Sequence, residues 1–218
     1  MRLVVINGSP KKGQGTTATI IRVIKEMIEA DVEEFSAIDY YHKPDTECDS
    51  TIDRILNADV LLIATPLYVD SLPMPLVVFL QSIEKRITKT GRPLLKVYGI
   101  CHCGFFEAIH NKVALDILRN FCSRTGFDWQ YGVSIGAGVF FGGNPDPLNG
   151  PAKVIYDALH GLCEDIKTES DHKSSNVFVQ PSIPRFLYKL GGNMGWRVQA
   201  KSNGIAGMLR AKPYADGE

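Results

Sequence analysis

The chain has 218 residues, of which 44% are hydrophobic and 22% are charged, with 24 Lys and Arg against 24 Asp and Glu. This length favours one globular domain with a sizeable buried core. The balanced charge argues against a nucleic-acid-binding protein, which needs a surplus of Lys and Arg for phosphate contacts. The ordinary composition excludes the collagen-like, disordered and disulfide-scaffold classes.

The sequence gives no sign of export or membrane insertion. Its first apolar run, Leu3–Ile6, is shorter than the core of a signal peptide, and Pro73 and Pro75 interrupt the most apolar region. Five cysteines, an odd number without framework spacing, are typical of thiols in a reducing compartment. We therefore expect a cytoplasmic protein without a membrane anchor.

Short apolar runs alternate with amphipathic segments along the chain. Strands are predicted at Arg2–Ile6, about Val32–Ile38, Val60–Ala64, Leu94–Cys101 and Phe127–Ile135. Helices are predicted from Thr16, at Asp49–Asn57, at about Met74–Ile87, at Glu107–Ser123 and from Pro151. The second strand carries Glu33 and Glu34, which places it at or near the sheet edge.

This alternation indicates βαβ units and a parallel sheet. With right-handed crossovers, five strands predict a doubly wound three-layer α/β sandwich of strand order 2-1-3-4-5. We assign residues 1–170 to this domain. Residues 171–218 are predicted to be an extension and not a separate domain, with a polar connection at 170–180 and a helix at about Ile183–Ala200.

Three loops should meet at the carboxyl edge of such a sheet, where open α/β sheets bind their ligands. They are Asn7–Thr17 after the first strand, Thr65–Pro73 after the third and Cys101–Phe106 after the fourth. Their convergence is a stronger argument for a binding site than any one motif.

The first loop contains the groups that bind a phosphate. Its glycines allow close backbone approach, and the helix that follows offers free N–H groups and a favourable dipole. The polar residues that could hold the phosphate are Ser9, Lys11, Gln14, Thr16 and Thr17. The alternative is a plain surface turn that Thr16 caps.

Two common phosphate motifs fit this loop poorly. Gln14 stands where a Walker A loop has its lysine. The stretch Gly13–Ala18 matches the dinucleotide pattern G-x-G-x-x-A, with Asp39 at the expected distance, but that pattern should begin directly after the strand. A long hydroxyl-rich loop suits the phosphate monoester of a mononucleotide such as FMN.

Two segments resemble the NADPH-dependent FMN reductase family of the flavodoxin-like superfamily. Asn7–Lys11 with Gly15–Thr17 is similar to the family's phosphate loop, and Ala58–Tyr68 is similar to its third strand and the turn along the flavin. The resemblance covers about residues 1–135. It implies a flavodoxin-like, commonly dimeric FMN-dependent oxidoreductase that reduces flavins, quinones or similar small acceptors with NAD(P)H.

In this interpretation the flavin performs the redox chemistry, so no obligatory catalytic side chain is predicted. The turn after the third strand should lie along the flavin ring or ribityl chain, and the loop after the fourth strand should contact the flavin as well. The residues assigned to these contacts are Pro66, Leu67, Tyr68, Val69, His102 and Gly104. Tyr68 is alternatively a rim tyrosine.

Cysteines suggest metal or iron–sulfur sites, which we disfavour. Cys101-His102-Cys103 offers too few ligands at an unusual spacing, and Cys48 alone cannot hold a cluster that needs four. A redox role for Cys103 would need a lowered thiol pKa. Gly136, Gly138, Gly142 and Gly143 are predicted to form a flexible apolar loop with Phe140 and Phe141, and Tyr188 and Trp196 could serve a dimer interface.

Two other functions remain open. One is an electron carrier of the flavodoxin type, which binds FMN without oxidising NAD(P)H itself; such carriers usually have an acidic surplus, whereas this chain is neutral. The other is a nucleotide-sensing module that has lost redox activity.

Overall fold

A computed structural model describes residues 1–28, 31–43, 45–90, 95–142, 150–168 and 175–212. The strands are β1 Leu3–Asn7, β2 Val32–Ser36, β3 Val60–Pro66, β4 Lys96–His102, β5 Asp128–Ile135 and β6 Val177–Val179. The α-helices are α1 Thr16–Ile28, α2 Ala37–Tyr41, α3 Asp45–Leu56, α4 Met74–Thr90, α5 Lys112–Thr125, α6 Gly138–Gly142, α7 Lys153–Lys167 and α8 Arg185–Ser202. Short 3-10 turns at Ala108–Asn111, Gly150–Ala152 and Ala206–Met208 complete the described elements.

The strands form one parallel sheet in the order β2-β1-β3-β4-β5-β6. Strand β1 lies between β2 and β3, so that Leu3 pairs with Val32 on one side and Val60 on the other. The predicted flavodoxin-like, doubly wound order is therefore confirmed, with the reversal of strand order at β1.

The described residues form six strands, one more than the predicted five. Residues 177–179, which we expected within a polar connection, add β6 beside β5. Gly132 N donates to the side chain of Asn176 at 2.8 Å, and Gly136 N donates to Val179 O at 2.9 Å. A three-residue strand is too short to give a periodic sequence signal, and contacts with β5 hold it in place.

Side chains alternate between the two faces of the sheet and build two cores. One core joins β1 residues Val4 and Ile6 to Ile52, Phe79 and Leu115 on α3, α4 and α5. The other joins Leu3 and Val5 to Ile20, Ile24 and Leu159 on α1 and α7. Strands β1 and β3 are buried along their whole length, as expected for central strands with helices on both faces.

Strand β2 occupies the sheet edge, as predicted, and is only partly buried. Glu33 pairs with Arg2 at 3.2 Å and also with Arg54, and Glu34 pairs with Lys25 at 2.7 Å. These ion pairs explain why the acidic residues interrupt the apolar pattern there.

Residues 138–142 form helix α6, which corrects the expected flexible loop; Gly143 lies outside the described residues. Phe141 is fully buried in the core beside α7. The burial of Phe141 holds this segment in place, which its glycine-rich sequence alone does not indicate.

Contacts group the chain into two compact units, Met1–Ser182 and Ile183–Glu218. The second contains α8, which falls where a helix was predicted, with exposed Phe186 and Trp196. The predicted division into residues 1–170 and 171–218 stays a prediction. No described helix combines the length and apolar character needed to cross a bilayer.

Candidate cofactor site

Three loops meet at the carboxyl edge of the sheet, as the order of elements predicts. Gly8 N, after β1, donates to Ala64 O of β3 at 2.8 Å, and Leu67 N, after β3, donates to His102 O of β4 at 2.8 Å. The side chains of Thr17 and His102 are also hydrogen-bonded. The residues assigned to the site from sequence therefore lie on neighbouring loops that contact one another.

The first loop is shaped by its own polar groups. Ser9 N donates to Asn7 Oδ1 at 3.1 Å, Lys11 N donates to Ser9 Oγ at 3.2 Å, and Gln14 N donates to Lys11 O at 2.9 Å. Gly13 and Gly15 have φ angles of +62° and +82°, the left-handed region that favours glycine. The loop thus wraps into a short concave turn in front of α1.

Its donors fit the phosphate end of FMN. The N–H groups of the first turn of α1, which begins at Thr16, have no acceptor within the helix. Thr16 is half-buried, and Lys11 and Gln14 are exposed beside it. Lys12 pairs with Asp39 at 3.3 Å, so Lys11 is the better placed of the two lysines to neutralise an anion. N–H groups, hydroxyls and a cation are the donor set that a phosphate monoester requires.

Thr17 and His102 are buried, whereas Lys11 and Gln14 of the first loop are exposed. Thr17 Oγ1 lies 2.8 Å from His102 Nε2, and the two residues are only 2% and 9% exposed. Burial lowers the pKa of His102 to about 4, and the positive charge of Lys11 contributes to the lowering. The imidazole is therefore neutral at physiological pH.

This depressed pKa gives a stability prediction. An unfolded histidine has a pKa of about 6.5, so the unfolded chain binds more protons than the folded one between about pH 6.5 and pH 4. The contribution of His102 to the free energy of unfolding is fully present above pH 6.5 and falls by about 3 kcal/mol as the pH drops to 4. Urea unfolding from pH 4.5 to 7.5 should show this loss in the native chain and a smaller one in His102→Gln.

His160→Gln is the matched control, because His160 is exposed on α7. It should keep the native pH slope. Equal slopes for the native chain and His102→Gln would contradict a buried neutral imidazole at position 102.

A tight turn follows β3. Tyr68 and Ser71 exchange two backbone hydrogen bonds of 2.9 and 3.0 Å, while Val69 and Asp70 have φ angles of 49° and 54°, as in a type I′ turn. Pro66 is buried and Leu67 half-buried, whereas the Val69 side chain is 98% exposed. The turn presents Tyr68 and Val69 to solvent at the carboxyl edge of the sheet.

The cysteines around His102 are packing groups. Burial raises the thiol pKa of both Cys101 and Cys103, so neither has the lowered pKa that reactivity needs. The described residues include no cluster of three or more His, Cys, Asp or Glu that could hold a metal ion. Gly104 is exposed, with open space where a side chain would be.

Asn111 is an organising residue that sequence reasoning missed. It is fully buried, and its Nδ2 donates to Cys101 O at 3.2 Å, Ser134 Oγ at 3.0 Å and Ile135 O at 3.1 Å. It thereby ties together the ends of β4 and β5, directly beside His102. An asparagine near the start of a predicted helix carries no local signal of this role.

A cavity of about 390 Å³ adjoins the first loop at Asn7 and Gly13 and continues along Ser36, Asp39 and Tyr40. These residues lie at the ends of β1 and β2 and in α2. The cavity therefore borders the loop on the β2 side and is distinct from the side formed with Leu67 and His102.

The sheet order and the glycine-rich, hydroxyl-rich loop after β1 are those of a flavodoxin-like, doubly wound α/β protein. The chain belongs to the NADPH-dependent FMN reductase family, whose model matches residues 1–110. The resemblance stated from sequence is thus confirmed. FMN is the cofactor of this family, and NAD(P)H fits it as the reductant.

Solved structures share the fold at low sequence identity. An FMN-dependent NADH-azoreductase from Bacillus anthracis, in complex with FMN, has a TM-score of 0.58 and 15% identity over 77% of this chain and 100% of its own. The Trp repressor binding protein from Bacillus subtilis has a TM-score of 0.55 and 20% identity over 78% and 100% of the two chains.

An NADPH-quinone reductase from P. pentosaceus has a TM-score of 0.53 and 16% identity over 78% of this chain and 99% of its own. These likenesses support the fold. No curated protein matches the chain in sequence.

Proposed function

We propose that this chain oxidises NAD(P)H and, through bound FMN, reduces a flavin, a quinone or a similar small acceptor. The family supports an FMN-dependent oxidoreductase, and the acceptor is the part that we add. The observation that carries the proposal is the loop Ser9–Thr16, which follows β1 and brings exposed Lys11 and Gln14 and half-buried Thr16 next to the N–H groups of the first turn of α1.

Each group has a binding or orienting role. Lys11, Gln14 and Thr16 hold the phosphate, together with the N–H groups of the first turn of α1. Ser9, predicted from sequence to bind it directly, is buried and shapes the loop by accepting a hydrogen bond from Lys11 N at 3.2 Å. The turn Pro66–Val69 lies along the ring and ribityl chain. The loop after β4, at Gly104, contacts the flavin as well. Bound FMN supplies the two-electron chemistry, so the chain needs to orient its substrates and exclude water, and it needs no acid–base side chain.

Apolar side chains around the site suggest the nature of the acceptor. Tyr68, Val69, Phe105 and Val139 are all exposed on segments that follow β3, β4 and β5. Such a rim favours a planar, largely apolar acceptor over a highly charged one. The same rim is a surface that a second copy would cover, and we include a homodimer in the proposal.

Direct turnover tests the proposal. FMN-loaded protein should oxidise NADPH or NADH when a quinone or free flavin is added. Protein that holds FMN without oxidising either nucleotide would be an electron carrier, and colourless protein that takes up no FMN would favour a nucleotide-sensing module. Light scattering of the FMN-loaded protein tests the homodimer.

Thr16→Val tests the phosphate loop. The substitution removes a hydroxyl donor but nearly keeps side-chain size, and hydrogen bonds to charged groups contribute roughly 10- to 100-fold in affinity. We expect the dissociation constant for FMN, measured by quenching of flavin fluorescence, to rise at least about tenfold.

Thr19→Val is the control on the same helix, since the Thr19 hydroxyl already donates to Gly15 O at 3.3 Å. It should leave the dissociation constant nearly unchanged. An equal constant in Thr16→Val and the native chain would count against phosphate binding by this residue. The cytoplasmic location expected from cysteine usage stays a prediction.

A further inference from the structure

The hydrogen bond between Thr17 and His102 joins the start of α1 to the end of β4. Thr17 is the second residue of α1, and His102 is the last residue of β4. Their side chains meet at 2.8 Å in a buried position, between the phosphate loop and the core of the sheet. We call this contact the Thr17–His102 latch.

We propose that His102 is a positioning residue for phosphate binding: through Thr17 it fixes the first turn of α1 in the orientation in which the Thr16 hydroxyl and the N–H groups bind the phosphate. This inference rests on the proposed function, because the phosphate is that of FMN. It also changes the role assigned to two residues from sequence. Thr17 and the imidazole of His102 act on the cofactor indirectly.

Burial separates this role from direct contact. Thr17 is only 2% exposed, while Thr16 beside it is half-buried, so the Thr16 side chain is the one accessible to an anion. The Thr17 hydroxyl is committed to the imidazole. A buried hydroxyl that is bonded to the imidazole can hold the turn in place without touching the ligand.

The ring of His102 is itself held from another side. A β-carbon at Gly138 would lie 3.0 Å from His102 Nδ1 and 3.1 Å from His102 Cβ, and Gly138 N donates to Cys103 O at 2.8 Å. The start of α6 therefore packs directly against the imidazole. With Thr17 on Nε2 and Gly138 beside Nδ1, the ring has a fixed position, which is what a positioning residue requires.

The neutral state of the imidazole fits this role. Burial holds the pKa of His102 far below physiological pH, so the ring forms a hydrogen bond with Thr17 and adds no positive charge near the phosphate. Lys11, which is exposed, is the group that supplies charge. His102 thus orients the first turn of α1, and Lys11 provides the positive charge for the phosphate.

Phosphate-specific binding tests the latch. Fluorescence titration with FMN and with riboflavin, which lacks the phosphate, is compared in the native chain, His102→Leu and His102→Gln. We expect His102→Leu to weaken FMN binding about tenfold and to leave riboflavin binding unchanged. We expect His102→Gln, whose amide can still form a hydrogen bond with Thr17, to keep most of the native affinity for FMN. His160→Leu, at an exposed histidine, is the control.

If His102→Leu does not fold, Thr17→Val and Thr17→Ser carry the same comparison, with loss in the first and retention in the second. The double variant His102→Leu/Thr17→Val should lose no more affinity than either single variant, because both remove the same bond. Additive losses, unchanged FMN affinity in Thr17→Val, or equal losses for FMN and riboflavin would each overturn the latch.

A second probe separates the latch from the proposed function. Inorganic phosphate should raise the melting temperature of the native chain and raise it less in His102→Gln/Thr17→Val, whether or not the protein oxidises NAD(P)H. FMN-bound protein that is inactive but shows the phosphate-specific losses would overturn the function and support the latch. Native protein that binds neither phosphate nor FMN would overturn both.

Discussion

Gly136→Ala should lower the free energy of unfolding by about 3 kcal/mol or more, because the new methyl group would collide with rigid backbone. A β-carbon at this position overlaps Phe106 O and lies 2.7 Å from Ala108 N. Neither group can move freely, since Ala137 N donates to Phe105 O at 2.5 Å and holds the two segments together. Urea unfolding monitored by circular dichroism measures the loss.

Gly161→Ala is the matched control for this prediction. Gly161 is exposed in the middle of α7, and no neighbouring atom lies within 4 Å of the place that a β-carbon would occupy. Alanine there should raise stability by up to about 1 kcal/mol, because glycine is a poor helix former. A Gly136→Ala protein with the native free energy of unfolding would contradict the prediction and show that the segments around Phe106 and Ala108 can separate.

Asn111→Leu should cost a comparable amount, at least about 4 kcal/mol. Leucine nearly keeps the volume but removes the amide that donates to Cys101 O, Ser134 Oγ and Ile135 O. Cys101 O and Ser134 Oγ would then lose this donor in a fully buried place, and each such loss is expensive, whereas Ile135 O would keep its bond from Cys103 N at 3.0 Å. Thermal and urea unfolding both measure the effect.

Asn120→Leu provides the comparison, since Asn120 is exposed on the neighbouring helix α5. The change there should stay within about 0.5 kcal/mol. Because Asn111 joins β4 to β5 beside His102, we also expect Asn111→Leu to weaken FMN binding in whatever fraction folds. Native-like stability of this variant would mean that water replaces the lost amide.

The sheet could be predicted from sequence because its central strands are continuous apolar runs. Leu3–Ile6 and Val60–Ala64 are buried on both faces, and no amphipathic helix gives such a pattern. The position of the loop after β1 could also be predicted from sequence, since glycines and hydroxyls directly after the first strand are a local signal. Topology then located the other two loops beside it.

The parts that sequence reasoning missed depend on contacts distant along the chain. Strand β6 needs β5 as a partner, and α6 needs the core around Phe141. The bond between Thr17 and His102 joins residues 85 positions apart, and a threonine after a glycine-rich loop looks the same whether it faces a ligand or a histidine. The sequence placed Thr17 and His102 on neighbouring loops, but it could not predict that their side chains bond to each other.

Both borders of the sheet discourage the addition of a strand from another molecule. An incoming strand beside β2 would meet an outer strand that carries Glu33 and Glu34, both paired with basic side chains. Beside β6 it would find a template of only three residues. Charged borders and very short outer strands are devices by which natural sheets avoid edge-to-edge aggregation. Both edge strands of this sheet are therefore poor templates for pairing with a strand of another molecule.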